Sequence, residues 1–243
     1  MLRRLLLTLS LLVAARLEAA VTYDNASTGE NAGAGLTFSF TTGAGADRGL
    51  IVFVHTYLAS GSGPIPSSVT YATVAMTQFA TTPYGTADHE RITAYKLAAP
   101  TSGTNDVVVT AAGAEETVAT AVSVAGCDQT NFETDSDLFS TDAVTTSTIT
   151  VTSATGELVV DGVAWFANAV TATVGADQTE RINNNNGSGV NSIASSTQAG
   201  AASVVMSWGF SASENPGQIA IAVKEATAGA AAIRKLMLLG AGP

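Results

Sequence analysis

Reactive side chains are scarce in this chain, and their scarcity excludes a good deal. A single cysteine, Cys127, rules out an intrachain disulfide and any cysteine-based zinc site, and is read as a small buried apolar residue. The only imidazoles are His55 and His89. A hydrolase triad needs a nucleophile oriented by a base that an acid holds in place; no G-x-S-x-G turn occurs, and Gly61-Ser62-Gly63 has the wrong spacing. Charged residues make up 12% of the chain, about half the usual share, so Thr, Ser, Asn, Gln and Gly must supply most of the surface. The charges that remain are unbalanced: residues 21–227 hold five basic against nineteen acidic residues, a net −14. Such a body repels nucleic-acid backbones and anionic lipid. Aromatics are 6%, which leaves Val, Ala, Ile and Leu to fill the core. No ten-residue amphipathic helical pattern interrupts the body, and this argues against a parallel sheet built from βαβ units.

What is present is alternation. In Ser203-Val204-Val205-Met206-Ser207-Trp208-Gly209-Phe210, the residues Val204, Met206, Trp208 and Phe210 share one face of a strand. Similar runs, bounded by Gly, Ser, Thr and Asn, recur from about residue 36 to 225 and give about twelve strands. The expected fold is all-β: one antiparallel two-sheet β-sandwich over residues 21–226, without a clean internal repeat. Residues 50–58, 118–125 and 158–166 are apolar on both faces and belong at sheet centres. Residues 21–28 read as an edge strand or an exchanged arm. Two stretches, 128–142 with five acids and 183–196 with Asn183, Asn184, Asn185 and Asn186, read as long surface loops.

Several segments carry a family likeness. They are Ser68-Val69-Thr70-Tyr71-Ala72-Thr73-Val74-Ala75-Met76, Tyr95-Lys96-Leu97-Ala98-Ala99-Pro100 and Val124-Ala125-Gly126-Cys127-Asp128-Gln129-Thr130, together with Gly156-Glu157-Leu158-Val159-Val160-Asp161 and Ile219-Ala220-Ile221-Ala222-Val223-Lys224. With the Trp208 strand they resemble poorly characterised β-sandwich modules of bacterial secreted proteins and phage structural proteins. The resemblance implies a jelly-roll topology of the lectin and glucanase type and assigns no catalytic residue or ligand.

Candidate sites are few. Asp88-His89-Glu90-Arg91 is the densest ionisable cluster, but adjacent strand residues face opposite ways, so it reads as a solvated strand start. Glu133-Thr134-Asp135-Ser136-Asp137 has oxygen ligands at alternate positions without the glycine and distal glutamate of an EF-hand; Asp128, Asp135 and Asp137 are the candidate calcium ligands, and otherwise no cofactor is expected. Asp161 is the one carboxylate in a strongly apolar strand, expected at a sheet edge or paired with Arg181. Asn183, Asn184, Asn185 and Asn186 are the candidate ligand-binding residues. Trp165 and Trp208 sit at core positions and not at sugar-stacking ones.

The ends differ from the body. Residues 1–20 place Arg3 and Arg4 before an apolar run from Leu5 to Ala15, the layout of a signal peptide or an N-terminal assembly helix. That run is too short for a bilayer span of roughly 20 residues. Residues 227–243 form an Ala/Gly linker and a basic apolar tail whose Arg234, Lys235, Leu236 and Leu238 suit docking to a neighbouring subunit. The reading is a non-enzymatic structural module, extracellular or on a virion or cell surface, that associates with itself or another structural subunit. A lectin-like carbohydrate-binding module stands second and a polysaccharide-cleaving enzyme third.

Overall fold

The computed structural model describes residues 20–166, 169–185 and 191–227. The described residues form antiparallel strands: β1 (Thr22–Asn31), β2 (Gly35–Thr42), β3 (Gly49–Tyr57), β4 (Ser68–Tyr71), β5 (Val74–Ala75), β6 (Thr77–Tyr84), β7 (Glu90–Ala98), β8 (Gly103–Thr110), β9 (Glu116–Ala125), β10 (Glu133–Ser140), β11 (Val144–Val151), β12 (Leu158–Trp165), β13 (Ala172–Val174), β14 (Thr179–Asn184), β15 (Ser192–Ala199), β16 (Val204–Glu214) and β17 (Gly217–Val223). A 3₁₀ turn at Thr86–Asp88 precedes β7.

The described residues hold seventeen strands in four sheets, where the sequence suggests about twelve in two. The difference has local causes. β10 lies in the acidic stretch taken for a loop, because its exposed edge position needs no apolar alternation. β15 begins inside the stretch taken for an Asn-rich loop, because it is buried through Ser and Thr as well as Ile193 and Ala194. The expected edge strand over residues 21–28 is β1, paired only with β9.

The sheets stack in four layers. Two five-stranded inner sheets, β1-β9-β3-β7-β6 and β10-β17-β12-β15-β14, face each other across a central core containing Ile51, Phe53, Val122, Val160, Ile193 and Ile221. Sheet β2-β8-β4-β5 covers the outer face of the first, burying Leu50, Val52, Val54 and Tyr71. Sheet β11-β16-β13 covers the second over Val159, Met206, Val163, Trp165 and Trp208. Strands β3, β9 and β12 therefore meet apolar layers on both sides, which is why their sequences lack alternation.

The two strand orders are the same order written twice. Replacing β1, β9, β3, β7 and β6 by β10, β17, β12, β15 and β14 converts one inner sheet into the other, and β2, β8 and β4 likewise become β11, β16 and β13. The irregularities repeat too. A bulge at Asp24 in the β1–β9 ladder matches one at Thr134 in β10–β17, and a bulge at Phe79 in β6–β7 matches one at Arg181 in β14–β15. Both bulges independently align Phe53 with Gly162 through their ladder partners. The equivalent pairs Phe53 with Gly162 and Tyr57 with Phe166 touch each other, so a pseudo-twofold axis runs between β3 and β12, as in an isologous dimer interface.

On that axis the halves are complementary and not identical. A Cβ on Gly162 would overlap the Phe53 ring. Gly162→Ala is therefore expected to destabilise the protein by about 1–3 kcal/mol through overpacking, measured by urea unfolding. A change within about 0.5 kcal/mol, the usual range for a surface substitution, would show that the halves do not meet as described.

Candidate functional site

Equivalent strands of the two inner sheets run in the same direction along the axis, and this divides the body into two ends. At the terminal end lie Thr22, Gly49, Glu133 and Leu158; at the loop end lie Tyr57, Tyr84, Glu90, Trp165 and Ser192. The loop end gathers buried polar groups at the seam between the halves.

His55 on β3 bridges them. Its Nδ1 lies 3.2 Å from the Ser192 carbonyl oxygen, and its Nε2 lies 2.6 Å from the Tyr84 hydroxyl. A carbonyl only accepts, so Nδ1–H donates to Ser192 and Tyr84 O–H donates to Nε2. Burial pushes the His55 pKa down to about 3 and Tyr84 well above its ordinary value, so both stay neutral near neutrality.

Two carboxyls from different halves lie close by. Glu90 opens β7 and Glu214 closes β16, and both are buried. Burial, then repulsion from Glu214 and Asp88, raises Glu90 to about 7 despite a bond to its own backbone; burial raises Glu214 as well. Glu90 Oε2 has no hydrogen-bond partner, and neither side-chain polar atom of fully buried Asn191 has one. Glu90 and Asn191 are equivalent positions under the pseudo-twofold, since each stands three residues before the Thr93 and Ala194 pair. Gly85, at φ 77°, leaves the space that Glu90 Oε2 fills, so no side chain fits there. Beside this cluster an open cleft of about 420 Å³ separates residues 83–85 from residues 140–142. Asn215 stitches its rim, accepting the Ala143 N–H at 2.6 Å and donating to Thr86 Oγ1 at 3.4 Å.

A second buried carboxyl lies between the sheets of the second half. Asp161 is fully buried on central strand β12, and neither sits at an edge nor pairs with Arg181 as the sequence suggests. Its Oδ1 accepts from the Ser196 backbone N–H at 3.0 Å and hydroxyl at 2.5 Å, and its Oδ2 accepts from Trp208 Nε1 and Gln218 Nε2, each at 2.8 Å. Burial raises its pKa to about 6, with the four donors opposing. Sealed there, Asp161 orders a polar network inside the core and is out of reach of a polysaccharide.

The other sequence candidates are dispersed. Asp128 caps a turn by accepting the N–H groups of Thr130 and Asn131. Asp135 accepts from Ser136 and Thr152, and Asp137 from Leu138, all backbone N–H groups. Among the described residues no group of three or more His, Cys, Asp or Glu is placed to hold a metal ion. Asn183 donates to Ala172 O and Glu180, Asn184 reaches Glu30 on β1 at 3.2 Å, and Asn185 donates to Val170 O. The first two lie on β14 and not in a loop. Asn186, Arg234, Lys235, Leu236 and Leu238 lie outside the described residues. Both tryptophans are fully buried, as expected, with Trp165 Nε1 donating to Val170 O at 3.0 Å. His89 is half-buried and apart from the His55 cluster, whose members come from five strands or strand ends and share no sequence motif.

No protein-family model matches the chain, and no curated protein sequence is significantly similar to it.

The raised carboxyls set the pH dependence of stability. Each favours its neutral form on folding, so its stabilising contribution is complete below the unfolded pKa and is lost as pH rises through the folded one. For Glu90 that window runs from 4.5 to about 7, worth roughly 3 kcal/mol at about 1.4 kcal/mol per unit. Urea unfolding from pH 4 to 8 is expected to show stability falling across this window, and Glu90→Gln to flatten the upper part of the fall, toward about pH 7, while the part below about pH 6 remains with Asp161. A Gln variant whose profile stays parallel to the parent's would rule Glu90 out as its source.

Proposed function

We propose that the chain is a non-enzymatic structural module of an extracellular particle, filament or cell surface, held or assembled through its chain ends and presenting its opposite end outward. One observation carries this reading. The described body starts and stops at the same end: the Val21 N–H donates to Gly156 O and the Ala226 N–H to Gly126 O, each at 2.8 Å. The segments that the sequence assigns to export and docking thus both leave from the terminal end, opposite the loops. Such a layout suits a tethered body.

The strand orders support reading the first half as a jelly roll with one added edge strand, β6, and the second as the same arrangement with a three-stranded outer sheet, an architecture common to capsid and lectin domains. Four tightly packed layers favour a rigid spacer, and the acidic, Thr-rich surface favours solubility until the ends engage. By light scattering, the full chain is expected to be larger than a monomer, and a monodisperse monomer would overturn the self-assembly reading.

A lectin-like role is the second reading, and one feature favours it. Tyr57 and Phe166 stack at the loop end with ring centroids 5.2 Å apart, and Phe166 is 36% exposed. This aromatic pair offers a stacking surface for a sugar ring, with the Asn184–Glu30 hydrogen bond two strands away at the same end. Glycan-array binding, with and without calcium, that falls on Phe166→Ala is the expected result under this reading; no binding to any glycan would discard it.

A further inference from the structure

The central core closes differently along its two long sides. On one side the last strands of the inner sheets are β1 and β14, and there the Arg181 guanidinium lies 3.7 Å from the Tyr23 ring centre, spanning the seam. On the other side the last strands are β6 and β10. Between them runs a groove of about 380 Å³, lined by Phe79 and Ala80 from β6 and by Ser136, Asp137 and Leu138 from β10. The bulges make Phe79 the counterpart of Arg181 and Leu138 the counterpart of Thr28. Both sides carry a cation over an aromatic ring, Arg181 over Tyr23 and Lys96 over Phe79, but the β6–β10 side also opens a groove and leaves Leu138 45% exposed. Both groove ends are closed. Lys96 pairs with Glu133 over the Phe79 ring at the terminal end, and the Thr82 hydroxyl donates to Ser140 Oγ at 3.2 Å toward the loop end.

We infer that this groove receives residues 233–239 of a second copy of the chain. This rests on the self-assembly reading above and names its surface. The segment Ile233-Arg234-Lys235-Leu236-Met237-Leu238-Leu239 is basic and apolar, and the groove sets Phe79, Ala80 and Leu138 among polar Gln78, Thr81 and Ser136 and the carboxylate of Asp137, with Asp135 next along β10. An extended segment puts Leu236 and Leu238 on one side, against Phe79 and Leu138, and Lys235 on the other, toward Asp137. The two aspartates accept the N–H groups of Ser136 and Leu138. The β10 edge is thereby shielded from main-chain pairing, and docking falls to side chains and charge.

The second copy follows from the self-assembly reading. The described chain stops at Thr227 beside the start of β10, and reciprocal exchange of tails between two copies closes a twofold dimer; mixed isotope labels separate it from docking of a chain's own tail.

Zero-length carboxyl-to-amine cross-linking of the full chain, mixed from ¹⁴N and ¹⁵N preparations and read by mass spectrometry, tests this. The expected product joins Lys235 to Asp137 or Asp135, with mixed-label pairs present. Absence of that link, or links found only within one label, overturns the inference. Leu138→Arg, at an exposed position, is expected to leave the melting temperature unchanged and weaken association about ten-fold or more. If assembly persists unweakened in this variant, the groove is not the docking surface although the chain self-assembles; a monomeric parent chain overturns the self-assembly reading itself.

Discussion

The packing of Phe53 against Gly162 is the constraint on which the rest of the architecture turns. It sits on the pseudo-twofold axis, where each half meets its own equivalent position. Two bulky residues there would collide, and two glycines would leave a void; one of each lets the inner sheets close to packing distance. From that contact follow the burial of both faces of β3 and β12 and the seam that His55 and Thr120 cross, through the Ser192 carbonyl and the Ser195 hydroxyl. A single two-sheet sandwich has one core. Here the outer faces of the inner sheets are cores as well, and residues such as Leu50 and Trp165 are sealed within one half while Ile51 and Val160 are sealed between the two.

The sequence makes the class of fold legible because side-chain alternation is a direct consequence of the pleat. The all-apolar strands around Val52, Val122 and Val160 point to sheet centres for the same reason. The duplication is hidden, because equivalent positions share environment and not identity. Val52 and Asp161 both point outward from the inner sheets, Ala119 matches Gln218, and Tyr95 matches Ser196. In the first half the corresponding site is filled by hydrocarbon and a tyrosine whose hydroxyl bonds to Pro66 O. In the second it holds a carboxyl with four donors. An apolar pattern broken by one aspartate reads as an edge when the donors that satisfy it lie 35 to 57 residues away.

The seam cluster was illegible for a related reason. His55, Tyr84, Glu90, Asn191 and Glu214 each have an ordinary local setting, and only the meeting of two halves buries them together. Glu90 was visible within a charged run, but burial of one member and exposure of its neighbour Asp88 depend on how the turn at Thr86–Asp88 meets the second half. The acidic stretch, taken for a loop, is an edge strand. Its aspartates read as metal ligands because oxygen at alternate positions is what calcium requires, yet alternate positions on an edge strand also share one face. There Asp135 and Asp137 occupy N–H groups that an exposed edge would otherwise offer to another chain.

Buried polar atoms without partners stand at both ends: Glu90 Oε2 and both side-chain polar atoms of Asn191 occupy symmetry-equivalent positions at the loop end, while Gln129 Oε1 and Glu133 Oε2, the latter beside its ion pair with Lys96, lie at the terminal end. Unsatisfied buried polar groups cost free energy, on the order of 1–3 kcal/mol each, and a body under selection for stability alone would replace them with hydrocarbon. At the loop end the unpartnered atoms lie at equivalent positions of both halves, beside a carboxyl, Glu90, that burial raises to about 7, so charging it as pH rises weakens the seam at that end. The opposite end is the one at which the described chain both begins and stops.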